Sequence, residues 1–90
     1  MNIWTRERDL IKERDELVES LVRLSHGMQN YLNEDHWGLA ASLAMTIHVE
    51  ATRLEQVSHE LYQVEDIIDT LKRIDERFEA LEEQINVSDN

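Results

Sequence analysis

The fold is decided by the stretch Asn33-Glu34-Asp35-His36-Trp37-Gly38, which stands between two long segments with apolar residues at helical spacing. Asparagine, aspartate and glycine favour turns because they tolerate backbone conformations that a helix does not use. The chain of 90 residues has no proline and only two glycines, so this stretch is its clearest interruption. The sequence predicts two helices joined by a turn at residues 33–38, with Asn33 or Asp35 capping the second helix.

Before the turn, apolar residues recur at alternating intervals of four and three positions, which is the spacing of a heptad repeat. The series contains Leu10, Leu17, Leu21, Leu24, Met28 and Tyr31, and Arg14 occupies its one polar position. We predict a helix from about residue 5 to residue 32, with Thr5 as its candidate N-cap. Gly27 falls inside this helix at a cost of about 1 kcal/mol relative to alanine.

After the turn, the same alternation runs from Leu43 to Leu71, with Glu50 as its polar position. A second series, displaced by one position, continues from Ile67 to Ile85. No proline or glycine follows Gly38, and this absence favours one helix over about residues 36–85. A break near residues 56–59 would instead give a three-helix bundle. The predicted fold is an all-α, single-domain helical hairpin over residues 1–90, with one shorter and one long helix.

An antiparallel hairpin places position i of the first helix opposite roughly position 68 − i of the second. The start of the first helix then lies opposite about Tyr62, and the part of the second helix after that point has no partner within the chain. Arg14 and Glu50 come within about one turn of each other, either as a pair that fixes the register or as two side chains that extend to the edge of the interface. The unpartnered segment predicts self-association, as a homodimer or higher oligomer, because it is rich in apolar residues. These residues are Val64, Ile67, Ile68, Leu71, Ile74, Phe78, Leu81 and Ile85.

Composition excludes several functions. There are 20 acidic and nine basic residues, for a net charge of −11, and no cysteine. Cysteine-based zinc sites and thiol nucleophiles are excluded, and direct binding of nucleic acid is not expected of an acidic chain. The four histidines do not form a metal-ligand pattern, and no serine lies in an acyl-transfer motif. We expect no enzyme activity, no cofactor, no metal and no membrane interaction, and a cytoplasmic location.

Acidic residues gather toward the C-terminus: residues 61–90 carry nine acidic and three basic side chains. An acidic helix can compete with nucleic acid for a basic protein groove. We expect a small protein-binding module, an inhibitor or adaptor of the kind made by phages and mobile elements, that acts on a nucleic-acid-handling protein by charge mimicry. Its predicted binding array consists of Glu65, Asp66, Asp69, Asp75, Glu76, Glu79, Glu82 and Glu83. The alternatives are an assembly or secretion adaptor that docks through its apolar seam, and an oligomer that sequesters a nucleotide-like ligand.

Overall fold

The computed structural model describes residues 2–88, which form two helices joined by a short turn. Helix α1 is Ile3–Asn33 and helix α2 is Trp37–Ser88. They pack antiparallel into a rod that measures 81 × 20 × 15 Å. The predicted all-α hairpin is confirmed. The three-helix alternative is wrong, because α2 continues through residues 56–59, where the chain has neither proline nor glycine to interrupt it.

Helix α1 begins two residues before the predicted start. The Asn2 side chain accepts hydrogen bonds from the backbone N–H groups of Trp4, at 2.9 Å, and Thr5, at 3.4 Å. Asn2 is therefore the N-cap, and the expectation that Thr5 would serve is wrong. Asparagine is among the best N-cap residues, and the earlier start also brings Ile3 into contact with the core.

The turn is built by the end of α1 rather than by a cap on α2. The backbone N–H of His36 donates to the Tyr31 carbonyl at 2.8 Å, and that of Asp35 donates to the Leu32 carbonyl at 3.2 Å. This pair of bonds is a Schellman motif, and its central residue takes a left-handed conformation. Asp35 has a φ of 60°, so it terminates α1 and does not cap α2.

The core lies toward the open end of the hairpin, away from the turn. Leu10 of α1 is fully buried among side chains of α2, and three partly buried residues of α1 pack around them. The α2 members are Val57, Leu61, Val64 and Ile68, and the surrounding α1 members are Ile3, Ile11 and Leu17. Val64 and Ile68 were predicted to lie in the unpartnered segment. They are instead buried inside the chain, because α1 begins two residues earlier than predicted and its first residue, Ile3, packs against the core.

The pairing of the helices agrees with the predicted register to within two positions. Ion pairs join Arg6 to Glu60 and Arg53 to Glu13 across the interface. Nearer the turn, a Cβ atom on Gly27 would lie 3.2 Å from the Leu43 side chain. Glycine thus lets the Leu43 side chain pack closely against the backbone of α1 at this level, and α1 continues through it.

Candidate protein-binding surface

The last part of α2 projects beyond α1. We call residues 69–88 the overhang, since the core ends at Ile68 and the N-terminus of α1 lies beside it. At 1.5 Å per residue the overhang is about 30 Å long. Every side chain from residue 69 to residue 86 is exposed. The overhang therefore offers a long helical surface that is not covered by the rest of the hairpin.

One face of α2 is apolar from Ile67 onward. Six large side chains, each 42–62% exposed, follow one another at intervals of four and three residues. They form what we call the apolar stripe: Ile67, Leu71, Ile74, Phe78, Leu81 and Ile85. A groove along it is lined by Ile74, Arg77, Phe78 and Leu81. Contiguous exposed apolar surface of this kind is typical of a protein-interaction site.

The opposite face is acidic. Because α2 is an unbroken helix, residues spaced by four and three positions share a face, and five of the eight predicted carboxylates have that spacing. We call this set the acidic stripe: Glu65, Asp69, Glu76, Glu79 and Glu83, with Lys72 at the sixth position of the series. The other three, Asp66, Asp75 and Glu82, lie on the sides of the helix between the two stripes. All eight are exposed.

A cation already compensates part of the acidic stripe. Arg73 forms an ion pair with Asp69 one turn earlier on α2. The hydrogen bond from this guanidinium, with the charge of Asp69 adding to it, raises the pKa of Arg73 above the usual arginine value. The most concentrated uncompensated charge therefore lies further along, at Glu76, Glu79 and Glu83.

The predicted register pair does not form. Arg14 bonds to its neighbour Asp15, with Nε to Oδ1 at 3.2 Å, and its side chain is about two-fifths exposed. One carboxylate oxygen of Glu50, Oε2, is buried and has no hydrogen-bond partner within residues 2–88. The guanidinium extends to the solvent-exposed edge of the interface, as long basic side chains do, and among the described residues Glu50 has no ion-pair partner.

Two ion pairs that the seam pattern did not reveal connect the helices instead. Arg53 Nε donates to Glu13 Oε1 at 2.7 Å, and Arg6 donates to Glu60 through two of its nitrogens. The hydrogen bond to Glu60 raises the pKa of Arg6. The sequence carried a usable signal for both pairs, since each joins opposite charges at positions that the predicted pairing places close together.

A second exposed apolar area lies near the turn and was also missed. The α2 segment from Trp37 to Val49 contains no charged residue. Trp37 is 62% exposed, and Met45 and Val49, one turn apart on one face of the helix, are exposed as well. The end of the hairpin is ordered instead by the backbone hydrogen bonds of the Schellman turn and by the edge-to-face contact of Tyr31 with His36.

The histidines lie on the surface of the hairpin. The four histidines are all exposed, and His59 makes a local contact to Gln63 one turn away. Within the described part of the chain, no three histidine or acidic side chains come together as metal ligands. In residues 2–88 neither helix has a stretch long and apolar enough to cross a membrane.

Comparison with known proteins adds no family: no family model matches the sequence, and no curated protein and no solved structure matches it. The surfaces of the hairpin are therefore the only basis for a functional proposal.

Proposed function

We propose that this chain is a non-enzymatic protein-binding module that uses its acidic stripe to occupy the basic groove of a nucleic-acid-handling protein. The observation that carries the proposal is the placement of five carboxylates on one face of α2, four of them on the overhang that projects beyond α1. Such a helix can enter a groove that a compact domain could not reach. The proposed setting is the cytoplasm, with an inhibitor of the phage or mobile-element kind as the biological role.

The dimensions of the stripe suit a local match to a phosphate backbone. From Glu65 to Glu83 the helix rises about 27 Å. This length holds five carboxylates and one lysine, whereas duplex DNA carries one charge per about 1.7 Å. The stripe therefore imitates a short run of phosphates on one strand rather than the charge density of a duplex, and the partner is expected to contact it through a few lysine or arginine side chains.

The test is a capture experiment with matched charge variants. The tagged chain is incubated with nuclease-treated lysate of the organism that encodes it, and bound proteins are eluted with steps of increasing salt. We expect a nucleic-acid-binding protein to elute at moderate salt, since contacts between exposed charges are screened by salt. The double variant Glu76→Lys/Glu79→Lys should lose it.

The control changes the net charge by the same amount at a different place. Glu16 and Glu19 are exposed on α1, away from the overhang, so Glu16→Lys/Glu19→Lys should retain the partner. Conversely, Lys72→Glu completes the stripe and should raise the salt concentration needed for elution. Equal loss of binding in both double variants would show that net charge, not the stripe, attracts the protein.

A second function, that of an assembly adaptor, is favoured by the exposed apolar stripe. Here the partner would contribute a helix that packs on Ile74, Phe78 and their neighbours. Salt separates the two proposals, because burial of apolar surface is not weakened by ionic strength. A captured protein that resists high salt and is lost in Phe78→Asp, but not in Glu76→Lys/Glu79→Lys, would replace the first proposal with the second.

A further inference from the structure

The apolar stripe lies beside the face of α2 that α1 covers, not on it. Ile68 is 4% exposed beneath α1, whereas its neighbour Ile67 is 48% exposed. Successive residues of a helix point about 100° apart, so the stripe faces roughly a quarter turn away from α1. A second helix can therefore lie along the stripe while α1 stays in place, and the hairpin does not need to open.

We propose that the stripe is covered by the same stripe of a second copy of this chain, in a parallel, in-register coiled coil over residues 67–85. This inference does not depend on the proposed function, because the acidic stripe is on the opposite face of the helix and remains exposed in the dimer. The spacing is that of a two-stranded coiled coil: three heptads, each with two large apolar residues. In register, each of these residues packs against its own copy.

The charges at the edges of the stripe select the second copy and its direction. Arg77 lies along one edge, where it lines the groove with Ile74 and Phe78, while Asp75 and Glu82 lie along the other edge. In a parallel pair, each edge faces the opposite edge of the partner helix about five residues further on. Arg77 then faces Glu82 of the second copy, and symmetry gives this attractive pair twice.

An antiparallel pair is disfavoured by the same residues. In the antiparallel register that buries all six stripe residues, each edge of the stripe faces the same edge of the second copy. Arg77 then faces Arg77 of the second copy, and Asp75 faces Asp75. Like charges at such flanking positions oppose association. Within residues 2–88 Arg77 makes no ion pair of its own, whereas Arg73 is bound to Asp69, so Arg77 is available for the contact between chains.

The first measurement is sedimentation equilibrium of the whole chain, which reports mass without depending on the elongated shape. We expect a reversible monomer–dimer equilibrium and a monomeric Ile74→Asp variant that keeps its helical circular dichroism. A wild-type chain that stays monomeric at several hundred micromolar would overturn the proposal and assign the stripe to a different protein.

Charge exchange tests the orientation. Arg77→Glu places a carboxylate opposite Glu82 in both symmetric contacts, and it should raise the dimer Kd roughly tenfold or more, from the modest energy of each exposed pair. The double variant Arg77→Glu/Glu82→Arg restores both contacts and should return the Kd to within about threefold of wild type. Arg73→Glu, the same charge change away from the edges, is the control and should leave the Kd nearly unchanged. Failure of the double variant to recover affinity would overturn the parallel register.

Cross-linking gives an independent reading of direction, because the chain has no cysteine of its own. In the parallel dimer Leu71 packs on Leu71, so Leu71→Cys should form an interchain disulfide under mild oxidation. In the antiparallel register each Leu71 faces Leu81 of the second copy, so the two cysteines at position 71 lie far apart along the helices. Their Cα atoms then exceed the separation of about 7 Å within which a disulfide can form. Glu76→Cys, on the acidic face, is the control that should not cross-link. Absence of the Leu71→Cys disulfide in a chain that does dimerise would refute the parallel arrangement.

Discussion

Replacement of Leu10 by alanine should separate the two helices more effectively than any other single truncation on α1. Leu10 is the one residue of α1 within the described part of the chain that is fully buried, and it is enclosed by Val57, Leu61 and their neighbours on α2. Truncation of a buried leucine costs about 2–5 kcal/mol, from lost transfer energy and from the cavity that remains. Complete burial places Leu10 near the middle of that range, at about 3 kcal/mol. For a domain of this size, such a loss lowers the melting temperature by roughly 12–24 °C.

The assay is urea unfolding followed by circular dichroism at 222 nm, with wild type and variants compared at one protein concentration because association adds apparent stability. Leu39→Ala is the matched control. It removes the same atoms from a side chain that is 51% exposed, and it should change the free energy of unfolding by less than about 0.5 kcal/mol. If the two variants differ by less than about 1 kcal/mol, the interface around Leu10 is not what holds α1 against α2, and the described core is incorrect.

Five further substitutions test the turn, the interface and the glycines. Asp35→Gly should stabilise the hairpin by up to about 1 kcal/mol, because φ is 60° at this position and glycine adopts that conformation without strain. Asp35→Val should destabilise the hairpin, because a β-branched residue is strained there. Equal stabilities of the two variants would contradict the Schellman turn. Glu50→Leu should raise stability by about 1 kcal/mol, because it replaces a buried oxygen without a partner; a lower melting temperature would mean that Glu50 does pair across the interface. Gly38→Ala should stabilise α2 by about 0.5–1 kcal/mol in thermal unfolding, since a Cβ there meets nothing within 4 Å. Gly27→Leu should instead destabilise the hairpin, because the larger side chain crowds Leu43. The reverse order of melting temperatures would show that Leu43 does not pack closely against α1 at Gly27.

The hairpin has a small core, so each variant needs a matched control. Only a few large side chains of residues 2–88 are fully or nearly buried, and most of the surface of α2 faces solvent. Single contacts therefore account for a large share of the free energy of unfolding. Self-association at the apolar stripe would also affect the measured stability of so small a core. If only folded chains dimerise, the apparent free energy of unfolding rises in proportion to the logarithm of protein concentration.

The apolar periodicity and the turn residues at 33–38 together determined the helical hairpin. The alternation of four and three positions defines two amphipathic helices, and the absence of proline and glycine after Gly38 is sufficient to keep α2 continuous. Because the side chains of a helix repeat every 3.6 residues, the placement of the apolar and acidic stripes on opposite faces follows from sequence spacing once continuity is established.

Only the tertiary structure decided how far along α2 the helix α1 extends and which polar groups form pairs. An Asn2 cap extends α1 and moves Val64 and Ile68 into the core. Arg14 was equally able to reach Asp15 or Glu50 by sequence, and its long, flexible side chain takes the exposed partner. Helix positions are fixed by local spacing, whereas the caps, the exact ends of the helices and the partners of long side chains depend on small energy differences that are set only when the two helices pack.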